Sequence, residues 1–516
     1  MSCVCPSYLL PIGCSEAIIR AINMREQLKL LWAKTRRRCA SLEVTTSILL
    51  VIAVSVAAFS FLYHAHKIVL FPYELTNAEE LFLRDAIQIR RGQQVYTEVN
   101  DFPLIRSGKP PLFSVLAASL IPLVGRSLAT TRLVAALSTL LTPLLIGSIT
   151  YQAGRRVMPS VACGCAYLGS IFVYQWGAWG RVDPTAILFS LLAILVVLHW
   201  PDKRGICLAA FCCLLSLYTK QTLWAAPAAI ILWLLWRREV RHALAFALLL
   251  GAVGGALFLL FTVLTRGQFF LHLVVYNVRE YSYRAFFSYW RAYLLTHGGI
   301  AAIALLGGAI YLRDKKPSLP LLYLGASALM TVTVGRAGAS SNYFLELVAA
   351  TLILCGLCWG ELAKRRDNGS LVMSAVLLLQ LVWFRAFPFS PLAIYYATSP
   401  SFGYTPQASD VHACEEVDRY VRSVEGEILT EAGGFALRNG KELYTNPSAL
   451  QALDRRGLVD EGLARLEEAL TTGRFSLVIL TGQYYPPRVL EAVRANYRPV
   501  DTVDCVFRYE IFVPIK

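Results

Sequence analysis

The stretch WGAWGRVDPTAILF, residues 176–189, sets Arg181 and Asp183 between two long apolar runs. Were those runs one segment, two charges would lie at a depth where burying either alone is expensive. Pro184 favours a turn instead. A proline is tolerated at the first position of a helix, where its missing N–H costs little, and Asp183 then stands at the positive end of that helix. The two runs become two membrane spans joined by a tight polar turn.

The rest of the chain agrees with that reading. Of 516 residues, 56% are apolar and only 16% charged, the profile of a polytopic α-helical membrane protein. The net charge of +15 is carried by short Lys and Arg clusters between apolar runs, which reads as membrane topology rather than as a nucleic-acid footprint. Runs of spanning length predict about eleven transmembrane helices: 45–70, 132–153, 158–180, 184–200, 205–219, 222–236, 242–265, 292–312, 317–335, 342–362 and 370–388. With the N-terminus inside, the clusters at Arg155 and Arg156, Lys203 and Arg204, Arg237 to Arg241, Arg313 to Lys316 and Lys364 to Arg366 all fall on the cytoplasmic side, as short cytoplasmic loops require. Residues 1–44 read as a basic amphipathic segment on that face. Residues 45–390 form the membrane domain.

An odd number of spans puts residues 71–131, 266–291 and 391–516 outside, at the outer face of the plasma (inner) membrane. The apolar segment 110–125 is short for a span and is expected to lie along the interface. In the tail, GEILTEAGG, FSLVIL and FRYEIFVP have strand character and SALQALDRRGLVDEGLARLEEALTTG has helical period, predicting a small soluble α/β domain. Eleven of thirteen cysteines lie in the N-terminal segment or in apolar runs, where they read as small helix residues. Cys414 and Cys505, both in the tail, leave a disulfide open.

The first outer loop reads YELTNAEELFLRDAIQIRRGQQVYTEVNDFPLIRSGKPPLF, residues 73–113. A helix stopped by Gly92 would carry Leu83, Ala86 and Ile87 on one stripe with Glu79 at its start. Glu79 is therefore expected on the packed face, and Glu80, Arg84 and Asp85 on a solvated one, with Glu80 and Arg84 as an exposed pair.

NAEE, RRGQQVY and GKPPLF in this loop, followed by GRVDPTAILFSLLAIL, LLSLYTKQTLWAAPAAI and GASSNYFLELVAATLIL, resemble in order and spacing the GT-C superfamily of integral membrane glycosyltransferases. The resemblance covers about residues 45–390 and is nearest the branch of aminoarabinose transferases and protein O-mannosyltransferases. It implies a GT-C-like fold and inverting transfer of a sugar from a polyprenyl-phosphate-linked donor to a lipid, glycan or protein acceptor at the outer face. In that group a carboxylate takes the acceptor proton and cations meet the departing phosphate. Glu79 corresponds to the acidic residue of the group's first loop, as base or as metal ligand, and Asp183 joins it as the second catalytic carboxylate.

Lys109, Arg181, Lys220 and Arg336 stand at the turns expected to bind donor phosphate. Glu80, Asn342, Tyr343 and Asn277 are the expected substrate contacts. Relatives sometimes use a divalent metal near the donor phosphate; here Glu79 and His272 would be its ligands. Many relatives carry Asp then Glu where this chain has Ala78 and Glu79, which leaves open whether Glu80 or Asp183 supplies the second carboxylate. The competing expectation is a multi-span transporter or flippase of an envelope glycan or lipid precursor, since intramembrane charges also mark substrate pathways. The chain shows none of the internal repeats such proteins usually have, and its polar clusters gather at one face.

Overall fold

The computed structural model describes residues 13–76, 78–314, 318–365, 368–386 and 403–515. The start of the N-terminal segment, Lys315 and Lys316 of one basic cluster, Arg366 of another, and the expected boundary at 390 lie outside these residues.

The first element among the described residues is α1 (Gly13–Leu70). The basic segment and the first expected span run together as one helix: residues 14–70 contain neither Gly nor Pro, so nothing interrupts the hydrogen-bond ladder until Pro72. The first loop folds into α2 (Glu79–Arg90) and α3 (Leu112–Val124). The bundle continues with α4 (Leu128–Gly154), α5 (Val157–Gly169), α6 (Ile171–Trp176), α7 (Asp183–His199), α8 (Lys203–Thr219), α9 (Ala225–Trp236) and α10 (Val240–Leu264). After α11 (Gln268–Phe270) and one π-helical turn come α12 (Tyr283–Arg313), α13 (Leu319–Met330), α14 (Leu345–Arg365) and α15 (Gly369–Ala386).

Five helical stretches among the described residues are long and apolar enough to cross a membrane: residues 41–70 of α1, α4, α10, α12, and Ser341–Lys364 across α14. Shorter apolar helices include α5, α7, α9, α13 and α15. The segment expected to span 158–180 is broken. Ser170 leaves helical geometry and its hydroxyl bonds His297 Nε2 at 2.8 Å, so the run divides into α5 and α6 and ends at Trp176, before the polar turn. Nearly all of α14 is buried, against α4, α5, α12 and α13. By contrast α10 turns Leu244, Leu248, Leu259 and Val263 outward, as a lipid-facing helix does.

The tail holds α16 (Ala408–Ser423), α17 (Gly433–Arg438), α18 (Pro447–Asp454), α19 (Asp460–Thr471) and α20 (Pro487–Asn496) around one sheet. Strands β1 (Glu427–Thr430), β2 (Phe475–Leu480), β3 (Tyr497–Asp504) and β4 (Arg508–Pro514) lie in the order β1-β2-β4-β3. β1 and β2 are parallel, with α17 to α19 in the crossover; β4 runs antiparallel to both its neighbours. The single helix expected over 448–473 is two, because Gly457 takes a left-handed φ of 61° between them. β3 carries no apolar alternation to read: it is an exposed edge strand bearing Pro499, Asp501 and Asp504, residues that discourage edge-to-edge pairing. Cys414 on α16 and Cys505 between β3 and β4 form a disulfide.

The tail docks on the first loop. Leu104 N donates to Tyr444 O at 2.7 Å, Asn446 N to Leu104 O at 3.3 Å, and Gly462 N to Asn100 Oδ1 at 3.0 Å. Against the first loop, the Phe435 ring packs on Tyr73 at 5.2 Å and the N–H of Gly434 donates to the Glu74 carboxylate. This coverage corrects the reading of α2. Glu80, Arg84 and Asp85, expected on a solvated face, are all buried: α17 packs against α2 beside Glu80, while Val95 O and Ser107 Oγ of the first loop meet Arg84 and Asp85.

Candidate active site

Where α7 begins, the loops and the tail enclose a cavity of about 610 Å³. One wall is the turn of residues 176–183. Val182 and Asp183 start α7, with Pro184 in the first turn, and the Asp183 carboxylate is buried. Lys220, where α8 ends, places Nζ 2.6 Å from Asp183 Oδ1, and Asn342 Nδ2 donates to the same oxygen at 2.9 Å. The Lys220 ammonium also sits 4.1 Å from the centre of the Tyr343 ring, a cation–π distance. Four residues from three separate turns thus form one cluster.

Lys109 and Arg181 line the same cavity. The segment carrying Lys109 is fixed by Tyr96, whose hydroxyl donates to Lys109 O at 2.7 Å, and by Gln221 Nε2, which donates to Gly108 O at 3.1 Å. Burial, then the neighbouring charge of Lys220, pushes the Lys109 ammonium down to about 7, so an arriving anion would favour its charged form. The Arg181 guanidinium lies 5.7 Å from the Trp176 ring. Asn277 and Arg336 line the opposite side, where Arg336 Nη2 donates to the Asn277 carbonyl.

Three expected site residues are elsewhere. Glu79 does face inward, but it is wholly buried and its carboxylate is committed. Arg132 Nε meets Oε1 at 3.0 Å and Arg132 Nη2 meets Oε2 at 2.6 Å, a bidentate pair, while Gly180 N and Leu75 N donate at 2.8 and 3.2 Å. Burial alone would raise its pKa, yet the Arg132 charge and these donors hold the carboxyl below its ordinary value. With two donors on each oxygen and no place on the cavity wall, Glu79 has no oxygen free to meet an acceptor hydroxyl. Arg132 also donates to the carbonyls of Ile68, Phe71 and Tyr73, so the pair ties the end of α1 to α2, α4 and the 176–183 turn.

Glu80 turns away from the cavity toward the tail and accepts from Ala78 N at 2.8 Å. Burial raises its carboxyl to about 7. The two neighbours diverge because consecutive residues of a helix point about 100° apart around its axis.

His272 accepts from Ser107 N at Nδ1 (3.1 Å), and its Nε2 lies 2.7 Å from Thr97 O. Both ring nitrogens are used, and burial drives its pKa down to about 4. Glu79 and His272 therefore do not fit a metal as a ligand pair. Among the described residues no three His, Cys, Asp or Glu side chains gather as metal ligands would.

The cavity also has walls that the sequence did not announce. Asp85 lines it, paired with Arg84 at 3.1 Å and bonded by Ser107 Oγ at 2.9 Å. Arg106, Arg279, Arg455, Arg456 and Tyr484 line it too. The last three come from the tail, whose residues carry no motif that ties them to the first loop.

No protein-family profile matches the sequence, and no curated protein matches it by sequence. By structure the chain is similar to ArnT from Cupriavidus metallidurans in the apo state, with TM-score 0.58 at 13% identity over 91% of this chain and 97% of that one. The same protein bound to undecaprenyl phosphate gives TM-score 0.56 at 13% identity over 91% and 98%. The chain is also similar to the oligosaccharyltransferase AglB from Archaeoglobus fulgidus in complex with an inhibitory peptide and a dolichol-phosphate. That match has TM-score 0.53 at 11% identity over 87% of this chain and 72% of that one. The chain shares the fold of these proteins.

Proposed function

We propose that this GT-C chain is a membrane glycosyltransferase that moves a sugar from a polyprenyl-phosphate donor to an acceptor hydroxyl, with inversion, at the outer face of the plasma membrane. The observation that carries the proposal is the Asp183 cluster. One carboxylate oxygen is gripped by Lys220 and Asn342, which orients the group at the edge of a cavity also lined by Lys109 and Arg181.

In this mechanism the acceptor hydroxyl gives its proton to Asp183 Oδ2 as its oxygen attacks the anomeric carbon from the side opposite the phosphate. The bond from that carbon to the phosphate oxygen breaks, and the bonding pair leaves with the prenyl phosphate. Lys109, Arg181 and Lys220 face the growing negative charge, and an enclosed, low-dielectric site strengthens that attraction. Asp183 replaces Glu79 as the base because Glu79 spends its oxygens on Arg132. Glu79 is assigned to holding the turn that presents Arg181 and Asp183.

The topology proposed with this function takes α1, α4, the broken α5 and α6, α7 to α10 and α12 to α15 as the spans. The N-terminus is then cytoplasmic and residues 403–515 are outside. The Cys414–Cys505 disulfide supports an oxidising compartment for the tail. The similarity in fold to ArnT and AglB favours transfer over transport.

The test is transfer from a panel of polyprenyl-phosphate-linked sugars by purified protein added to envelope lipids, glycans and proteins. Asp183→Asn should lower turnover by about a hundredfold or more, the usual scale for a general base, with the folded yield unchanged. Wild-type turnover in a well-folded Asp183→Asn protein would remove Asp183 from this role.

A further inference from the structure

Eight basic side chains and three carboxylates line the cavity among the described residues, and they form two groups. Lys109, Arg181 and Lys220 surround Asp183. The other five are arginines: Arg106, Arg279 and Arg336 from the outer loops, Arg455 and Arg456 from the tail. The lining carboxylate nearest them is Glu280, 3.8 Å from Arg455 and largely exposed.

Three of the five arginines are held by carbonyls rather than by countercharges. Arg106 Nη1 donates to Tyr276 O at 2.7 Å, Arg456 Nη1 to Val275 O at 2.9 Å, and Arg336 to Asn277 O. One backbone segment, residues 275–278, thereby aims three guanidinium groups while neutralising none. Arg106 Nε is buried with no hydrogen-bond partner. Arg279 makes no hydrogen bond or ion pair among the described residues. Burial, then the charges of Arg336 and Arg456, works against its ionised form. Arginine nonetheless stays charged in proteins, so the repulsion remains until an anion relieves it.

We infer that this cavity has two anion subsites, and that the arginine group binds a second phosphate, distinct from the one on a polyprenyl monophosphate donor. The inference rests on the transferase reading. A prenyl phosphate leaving as a dianion is matched by the lysine group, where three cations face one carboxylate. Five guanidinium groups with one exposed carboxylate exceed what a lone carboxylate ligand could balance. The fork of N–H donors on each arginine suits phosphate oxygens. The second phosphate belongs either to a phosphorylated acceptor or to a donor that carries a pyrophosphate.

Binding to the full-length protein in detergent separates these outcomes, with undecaprenyl phosphate and inorganic pyrophosphate as probes. Wild-type protein saturated with undecaprenyl phosphate should still bind pyrophosphate. Arg279→Gln combined with Arg455→Gln should weaken pyrophosphate about tenfold, the loss of roughly one charged hydrogen bond, and leave undecaprenyl phosphate binding unchanged. Arg279→Lys, which keeps the charge, should recover part of the loss; an unchanged melting temperature excludes misfolding.

Undecaprenyl pyrophosphate identifies the source. If the arginine variants weaken it but not the monophosphate lipid, the second phosphate is the donor's; if they weaken neither lipid while weakening inorganic pyrophosphate, it is the acceptor's. Displacement of undecaprenyl phosphate by pyrophosphate one for one, or full pyrophosphate affinity in the double variant, would overturn the second subsite. A wild-type protein that fails to bind undecaprenyl phosphate would instead count against the donor reading.

Discussion

Asp183 and Glu79 are both buried carboxylates paired with a base, and the difference between them is how many of their oxygens are taken. Glu79 accepts from Arg132 on both oxygens and from two backbone N–H groups besides, and Arg132 is itself wholly buried. Removing one partner of such a pair strands the other charge, at a cost of about 3–5 kcal/mol. Glu79→Gln is therefore expected to lower the melting temperature and the folded yield sharply, with any loss of turnover following the loss of folded protein. Thermal unfolding in detergent checks this; a Glu79→Gln protein that melts like wild type but transfers no sugar would return Glu79 to the chemistry. The stripe of Leu83, Ala86 and Ile87 made the inward direction of Glu79 legible in the sequence. Its partner was not legible, because Arg132 lies 53 residues away and reads as the first residue of a span.

At the level of elements, the helices of the membrane part were legible because each must satisfy its own backbone and show apolar side chains to lipid. Where the chain departs from that pattern the cause is long-range, as at Ser170, whose partner His297 sits on α12. The outer face of α2 is another such case. Glu80 looks solvated in sequence, yet it and Glu74 are both buried under α17, and Gly434 reaches Glu74 across 360 residues. The groups bearing on these two carboxyls are Glu79, Arg132 and Arg181, together with the Gly434 and Ala78 N–H groups. Burial raises both pKa values, Glu80 to about 7. The docked form thus binds more protons than the undocked form between the ordinary carboxyl range and about 7. Its stability is present at lower pH and declines as pH rises through that window. Limited proteolysis should release the tail faster at pH 8 than at pH 6, and Glu80→Gln should flatten the difference. Equal protection at both values would show that these carboxyls do not govern docking.

For the whole molecule, the arrangement stands on the sidedness of the tail. Arg498 on the edge strand β3 is exposed, so Arg498→Cys offers an accessible thiol on the tail. A membrane-impermeant maleimide should label it from outside intact cells. Labelling only after the cytoplasmic side is opened would place the cavity on the wrong face for this topology. The same tail supplies Arg455, Arg456 and Tyr484 to the cavity wall and follows every helix of the bundle in the chain. A polypeptide emerges from the ribosome N-terminus first, so the inserted helices exist for a time without their last wall, with Glu74 and Glu80 open to water. Until the tail has been made and folded, the inserted helices hold an unfinished pocket, because the cavity gains its last wall only after every helix of the bundle has been laid down.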